Sequence, residues 1–151
     1  MITINSLFQD LKVFYISNNE KFSLTNPFFT QINNSEILTW YNYKNKQSFY
    51  TYDEYYSWVI DNLQYSVVIG DKVLVQIYYV QKEKQITKAS LSFLPHPDLL
   101  MSYFRFDMDT ENNHDYYHNS YHVNFGYRSD DWIKHSKMTP IGLFEKVPFA
   151  N

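Results

Sequence analysis

All five histidines of this 151-residue chain fall between positions 96 and 135, and three of them recur at every fourth position in one short segment. These three are His114, His118 and His122. The segment follows soon after the run 104–109, in which apolar residues alternate with charged ones. Imidazole titrates near neutral pH and also binds metal ions, so this is where we expect chemistry if the protein performs any.

A metal site is the first chemistry that this spacing suggests, because imidazoles four residues apart share one face of a helix. The flanking pairs Asn112-Asn113 and Asn119-Ser120 are poor helix formers, however, and the residues from Tyr121 onward alternate as in a β-strand. Carboxylates that could bind Mg²⁺ fall on different faces; they are Asp107, Asp109, Glu111 and Asp115. We therefore predict no bound metal ion and no other cofactor.

A second possible site depends on two strands predicted at 103–108 and 121–127. In a strand, successive side chains point to opposite faces, so the charged residues of the first run oppose its apolar residues. If the strands pair as a hairpin with their apolar faces aligned, four polar residues gather on one surface of the sheet: Arg105, Asp107, His122 and Asn124.

Such a group could perform acid–base chemistry on RNA without a metal ion. Asp107 would orient the imidazole of His122, and Arg105 would bind a phosphate or carboxylate group. Cleavage needs one group to take a proton and another to give one, and His118, His122 or a tyrosine could fill these roles. The structural alternative is an Arg–Asp pair that is satisfied across strands on a solvated sheet face.

Aromatic residues are the other unusual feature, with fifteen tyrosines and three tryptophans. Because few Lys or Arg residues lie between them, we interpret them as core and as surface facing a protein partner rather than as stacking platforms for nucleic acid. Those nearest the histidine segment are the candidate partner-binding residues: Tyr116, Tyr117, Tyr121 and Trp132. His96, between Pro95 and Pro97, indicates a fixed turn.

The composition excludes several classes of protein. The net charge of -3 comes from 13 basic and 16 acidic side chains, which disfavours non-specific binding to duplex DNA. Without cysteine there is no disulfide, thiolate zinc site or cysteine nucleophile. The N-terminus lacks the pattern of a secretion signal and no apolar run approaches about twenty residues, so we expect a cytoplasmic protein without a membrane partner.

Hydrophobic periodicity predicts the elements that must position these residues. Helices are predicted from about residue 4, with Thr3 as its cap, and at 52–63, where Thr51 begins a capping box. Residues 17–34 are interpreted as a loop, and a closing helix is predicted after Thr139-Pro140. Strands are predicted at 36–43, 65–69, 73–80, 86–94, 103–108 and 121–127.

We therefore expect one α+β domain over residues 1–151. It has a mainly antiparallel sheet of about six strands and two helices from the N-terminal half of the chain.

A resemblance to a known family extends from residue 63 to residue 127. The chain resembles a bacterial family known only as a domain of unknown function, in the segments Leu63-Gln-Tyr65, Ile69-Gly-Asp-Lys72, Val75-Gln-Ile-Tyr-Tyr79, Leu91–Pro97, Tyr103-Phe-Arg-Phe-Asp107 and His118–Gly126. The resemblance implies a helix-led sheet with an Arg-Phe-Asp strand and a histidine-bearing strand. Such strands are also similar to those of small proteins from toxin–antitoxin and phage-defence loci. By that likeness the functional positions are Arg105, Asp107, His118 and His122.

Two functions of different classes follow. The first is a non-enzymatic inhibitor or antitoxin-like module of a phage–bacterial conflict system, for example an anti-CRISPR or anti-defence protein, which binds a defence effector or toxin through its tyrosine-rich surface. The alternative is a small RNA-cleaving enzyme that uses the four functional positions named above, with RNA as its partner. The balance of charge, which offers RNA no basic track, favours the binding protein.

Overall fold

The computed structural model describes residues 2–17, 22–24, 27–32, 35–45, 47–70, 72–110, 121–125 and 132–134. In the ranges 22–24, 27–32, 121–125 and 132–134 it describes the backbone. The helices are α1 (Ile4–Ser17) and α2 (Tyr52–Asp61). The strands are β1 (Phe22–Leu24), β2 (Pro27–Ile32), β3 (Ser35–Trp40), β4 (Val67–Ile69), β5 (Val73–Lys82), β6 (Gln85–Pro95), β7 (Phe104–Asp109), β8 (Tyr121–Phe125) and β9 (Trp132–Lys134).

Helix α1 forms where its periodicity predicts, with Ile4, Leu7 and Leu11 buried on one face. Thr3 caps it, because its hydroxyl accepts a hydrogen bond from the backbone N–H of Ser6 at 3.1 Å. The cap satisfies one of the N–H groups that the first turn of a helix cannot pair.

Helix α2 begins at the predicted capping box, where the Thr51 side chain accepts from the N–H of Glu54. It ends at Asp61, two residues before the predicted end. Leu63 has a φ of +53°, which lies in the left-handed region and stops the helix.

All described strands belong to one antiparallel sheet with β5 and β6 at its centre. The order is β1-β4-β5-β6-β7-β8-β9, with β3 also on β5 and β2 on β3. One edge of β5 is shared, because β4 pairs with residues 73–75 and β3 with residues 79–81. The other edge pairs with β6 through a tight hairpin at Glu83-Lys84, whose φ angles are +48° and +69°.

The structure confirms the α+β class, the antiparallel sheet and the two helices from the N-terminal half. The pairing of β7 with β8 is likewise confirmed. Within the described part of the chain, no helix has the length and apolar character needed to cross a membrane.

Two predictions about the strands are wrong, and the sheet has more strands than predicted. Residues 17–34 contain β1 and β2 rather than a loop alone, because Pro27 occupies the first position of a strand, where a missing N–H is tolerated, and Phe28-Phe29 is β-prone. The first predicted strand ends at Trp40, since Asn42 turns the chain with a φ of +58°. Including β9, the sheet has nine strands rather than about six. The closing helix predicted after Thr139-Pro140 lies outside the described residues.

The sheet is covered on both faces. Alternate residues of β5, among them Val75 and Ile77, pack with the buried stripe of α1. The intervening residue Leu74 packs on the opposite face with Tyr55 and Val59 of α2. We call these surfaces the α1 face and the α2 face.

Burial of tyrosines on both faces predicts a loss of stability at alkaline pH. Burial raises the pKa of six described tyrosines: Tyr43, Tyr52, Tyr56, Tyr78, Tyr79 and Tyr103. In the unfolded chain a tyrosine ionises near pH 10, so above about pH 10 the folded state retains protons that the unfolded state has released. The contribution of these tyrosines to the free energy of unfolding should therefore stay constant below that pH and fall above it.

Urea unfolding at a series of pH values measures this loss, and tyrosinate absorbance reports which groups have ionised. In the native protein one class of tyrosines should ionise only as the fold is lost. If all fifteen tyrosines ionised together near pH 10 in protein that remains folded, the prediction would be wrong.

Candidate functional site

Two rows of residues run across the sheet from β5 to β9, and their members in β5, β6 and β7 lie on the α2 face. Residues directly opposite each other in neighbouring strands occupy the same face, so the register defines each row. The first row is Gln76, Ser92, Arg105, Asn124 and Trp132, and the second is Tyr78, Ser90, Asp107, His122 and Lys134. The corresponding positions of the α1 face are apolar: Ile77, Leu91, Phe106, Val123 and Ile133.

An ion pair lies within these rows. The Nε of Arg105 donates to Oδ2 of Asp107 at 2.6 Å, and the side chains are 31% and 15% exposed. The pair forms along β7 between residues two apart and is partly buried, which differs from the alternative of a cross-strand pair on a solvated face. Both side chains are partly buried because the α2 face is covered where β7 begins.

Tyr103 continues this cluster beneath α2. Its hydroxyl forms side-chain hydrogen bonds with Ser92 and Arg105. Burial raises the pKa of Tyr103 although Arg105 acts to lower it. Burial acts to lower the pKa of Arg105, but Asp107 and Tyr103 outweigh it and the net shift is upward. Near neutral pH the phenol is neutral and the guanidinium charged, and both shifts move the pKa values further from neutral pH.

A recess of about 130 Å³ opens beside the ion pair on the α2 face. We call it the aromatic recess, since six of its lining residues are aromatic. It is lined by Trp40, Tyr43, Tyr55, Trp58, Tyr78, Tyr103, Lys44, Gln76, Ser90, Ser92 and Arg105. The walls are packed rings: Tyr43 stacks on Tyr78 with centroids 5.3 Å apart, and Tyr55 stacks on Trp58 at 6.4 Å.

One buried amide, that of Gln64, organises the rim of the recess. Its Oε1 accepts from the indole N–H of Trp40 at 3.0 Å and from the backbone N–H of Lys44 at 2.7 Å. Its Nε2 donates to the carbonyls of Asn42 and Asn62, each at 2.8 Å. All four hydrogen-bonding positions of the amide are therefore used, and the turn after β3 is tied to the turn after α2.

A second amide extends this network to the sheet. The Nε2 of Gln76 donates to the backbone carbonyl of Gln64 at 2.8 Å, and its Oε1 accepts from the hydroxyl of Tyr55 at 3.0 Å. Both glutamines are buried, so their bonds form where water does not compete. Helix α2, the two turns and β5 are held in one arrangement.

The two turns that Gln64 joins expose apolar side chains. We call this the turn surface and define it by Tyr41, Tyr43, Ile60 and Leu63, of which Tyr41 and Leu63 are each 62% exposed. Tyr43 and Leu63 also line a shallow cleft together with Lys44 and Asp61. The turn surface is continuous with the aromatic recess, because Tyr43 belongs to both.

The predicted catalytic residues are brought together only in part. Arg105 and Asp107 form the ion pair, and the backbone register puts His122 opposite Asp107 and Asn124 opposite Arg105. His118 lies outside the described residues.

Of the predicted partner-binding residues, Tyr121 opens β8 and Trp132 opens β9, where the backbone is described. Tyr116 and Tyr117 lie outside the described residues. Among the residues that the structure describes, no group of three or more histidines and carboxylates is placed to hold a metal ion. His114 and His118 lie outside the described residues. The prediction of no metal stays a prediction. His96 lies in the predicted turn and packs edge-on against Tyr56.

The recess itself was missed, because its residues come from five separate segments of the chain. Two signals point to its surroundings. Gln64 is a polar residue between Leu63 and Tyr65, and Leu63 is a large apolar residue at the predicted end of the second helix. Neither signal shows which residues meet.

Removal of the Gln64 amide should strongly destabilise the protein. In Gln64→Ala the buried indole N–H of Trp40 loses its partner, as do the Lys44 N–H and the Asn42 and Asn62 carbonyls in partly buried positions. Since an unpaired buried group costs about 1–3 kcal/mol, we expect a loss of at least about 2 kcal/mol. Urea denaturation measures this loss. Gln85→Ala, at an exposed glutamine of β6, is the matched control and should change stability by about 0.5 kcal/mol or less. A loss below about 1 kcal/mol for Gln64→Ala would contradict the structural role of the amide.

Comparison with known proteins identifies a family. Residues 20–103 match the family described as "Uncharacterized conserved protein (DUF2290)". No curated protein and no solved structure matches the chain. The matched span includes Gln64, Gln76 and most of the aromatic recess but ends at Tyr103, before Arg105 and Asp107. The predicted membership in a family of unknown function is confirmed, while the link to conflict systems stays a prediction. Since the match covers more than half of its residues, the protein belongs to the DUF2290 family.

Proposed function

We propose that this protein is a non-enzymatic binding module whose turn surface docks on a protein partner. The observation that carries the proposal is Leu63, a leucine that is 62% exposed and has a φ of +53°. For a residue with a Cβ atom the left-handed conformation costs roughly 1–2 kcal/mol, and exposure of the side chain to water adds no compensation. Such a cost at an exposed apolar residue supports a role of this side chain in function.

The surroundings of Leu63 hold it in this conformation. Its N–H donates to the carbonyl of Ile60, and the N–H of Gln64 donates to the carbonyl of Val59 at 2.9 Å. The Gln64 amide then fixes the turn on both sides. A rigid apolar surface loses little conformational entropy on binding, which favours association.

The turn surface has the composition of a protein interface. Two tyrosines, an isoleucine and a leucine are exposed in the segments 41–43 and 60–63, and Tyr43 and Leu63 line one cleft with Lys44 and Asp61. An apolar centre with charged residues of both signs at the rim is typical of protein–protein contacts. A nucleic-acid surface would instead have a continuous basic track.

The chemistry of the recess supports binding over proton transfer. A general acid or base works best with a pKa near the working pH, whereas burial raises the pKa of Tyr43, Tyr78 and Tyr103 further above it. The Asp107 carboxylate, which would orient His122, accepts a short hydrogen bond from Arg105.

We further propose that the partner is a defence effector or toxin, so that the protein acts as an inhibitor or antitoxin-like module in phage–bacterial conflict. The support for this is the likeness of the Arg-Phe-Asp strand and the histidine-bearing strand to those of proteins from such loci. The RNA-cleaving enzyme is the competing function, and the experiments below separate the two.

Substitution of Leu63 tests the proposed docking. A photo-crosslinking residue at position 63, in the protein expressed in its source cells, should capture a discrete protein, and the same residue at Tyr50, which is 87% exposed, should not. With the purified partner, Leu63→Asn should weaken binding at least tenfold while leaving the fold intact or more stable, because asparagine tolerates a left-handed φ. Leu100→Asn, at another exposed leucine, is the matched control and should bind as the wild type does.

Opposite results would overturn the proposal. Undiminished binding by Leu63→Asn would show that the partner docks elsewhere. Purified protein that cleaves single-stranded RNA, and loses this activity in His122→Ala but not in His135→Ala, would establish the enzyme instead. For a binding module, His122→Ala should be nearly silent.

A further inference from the structure

We infer that the aromatic recess is an anchor pocket for one tyrosine side chain of the protein partner. The inference rests on the proposed function, since the recess opens next to the turn surface and shares Tyr43 with it. A partner that covers the turn surface lies within reach of the recess. Interfaces commonly derive much of their affinity from one aromatic side chain inserted in such a pocket.

The size of the recess limits its occupant to a single ring. Its volume is about 130 Å³. An apolar cavity of about 150 Å³ in another protein holds one benzene molecule, and whole small-molecule ligands occupy pockets of about 300–1,000 Å³. The occupant is therefore one six-membered ring that belongs to a larger molecule, most of which lies outside.

The walls present aromatic faces and edges to such a ring. The stacked pair Tyr43–Tyr78 forms one side, and Trp40 packs against Tyr43 with centroids 5.0 Å apart. Tyr55 and Trp58 of α2 form another side. Aromatic rings attract each other at centroid distances of about 4.5–7 Å, beyond the gain from apolar burial.

The floor is polar, which favours a ring with a hydroxyl at its tip. Gln76 already bonds at both ends of its amide, and Ser92 bonds Tyr103. Ser90 is half-buried between these residues and the ion pair. Its hydroxyl can donate and accept hydrogen bonds, and Arg105 has five N–H donors. A phenylalanine ring would cover these groups without pairing them, at a cost in free energy. A phenol hydroxyl can bond to them.

Charge favours a tyrosine over the base of a nucleotide. A pyrimidine also has one ring, but it carries a phosphate group outside the pocket. The cations that line the recess, Lys44 and Arg105, are accompanied by Asp61 and Asp107, and the net charge of the chain is -3. The local field therefore does not favour a phosphate, whereas a neutral phenol is unaffected.

Small probes test the recess without the partner. The wild-type protein is titrated with p-cresol, which corresponds to the side chain of tyrosine. Separate titrations use toluene, which corresponds to that of phenylalanine, and the nucleotide uridine 5′-monophosphate. Indole N–H signals of Trp40 and Trp58, assigned with Trp40→Phe and Trp58→Phe, report binding by NMR. p-Cresol should cause saturable shifts of these signals and bind at least threefold more tightly than toluene.

Variants locate the binding. Tyr78→Ala, which removes one wall, and Ser90→Leu, which fills the floor, should each weaken p-cresol at least fivefold in protein shown to be folded. Tyr50→Ala, a tyrosine outside the recess, is the matched control and should leave the affinity unchanged.

Three results would overturn the inference: no saturable shift with p-cresol, toluene binding as tightly as p-cresol, or tighter binding of the nucleotide. These results are separate from those for Leu63, because the probes need no partner and Leu63 does not line the recess. If the probes do not bind as expected, the anchor pocket is ruled out, whereas docking at the turn surface is tested separately by the Leu63 variants.

Discussion

The fully buried amide of Gln64 is the interaction on which the candidate site depends. Four groups, from the end of β3 and from the two turns, converge on it. The buried one, the indole N–H of Trp40, could lose its partner only at a cost of about 1–3 kcal/mol. Because an amide has two donors and two acceptor positions, the side chain fits this set of groups and a carboxylate or an aliphatic chain does not. The positions of Trp40, Tyr43 and Leu63 follow from that single residue.

The sheet supports two different surfaces because its rows keep their chemical character over five strands. On the α1 face the rows are apolar and α1 packs on them near β5. On the α2 face the short helix α2 covers one end of the rows, and polar residues of β6 and β7 line the recess beside it. The aromatic recess forms at the boundary between the covered and the polar part, which is why both aromatic walls and polar floor residues line it.

Periodicity in the sequence predicted the helices and strands that are determined by local patterns of residues. The stripe of α1, the capping box at Thr51 and the alternation of β7 and β8 each fix an element or a pairing. The register of Arg105, Asp107 and His122 could be derived in this way. What could not be derived depends on distant contacts: β2 is a strand because β3 pairs with it, and the recess exists because Gln64 joins turns that are about twenty residues apart.

The divided edge of β5 has a consequence for the order of folding. β5 and β6 adjoin in the chain through a two-residue turn, so their pairing closes a very short loop. β4 and β3 come from different distances along the chain and attach to separate halves of the free edge that this hairpin offers. We therefore expect the hairpin to act as the folding nucleus, on which the N-terminal strands dock later. The turn at Glu83-Lys84, far from the recess, would then control how quickly the protein folds.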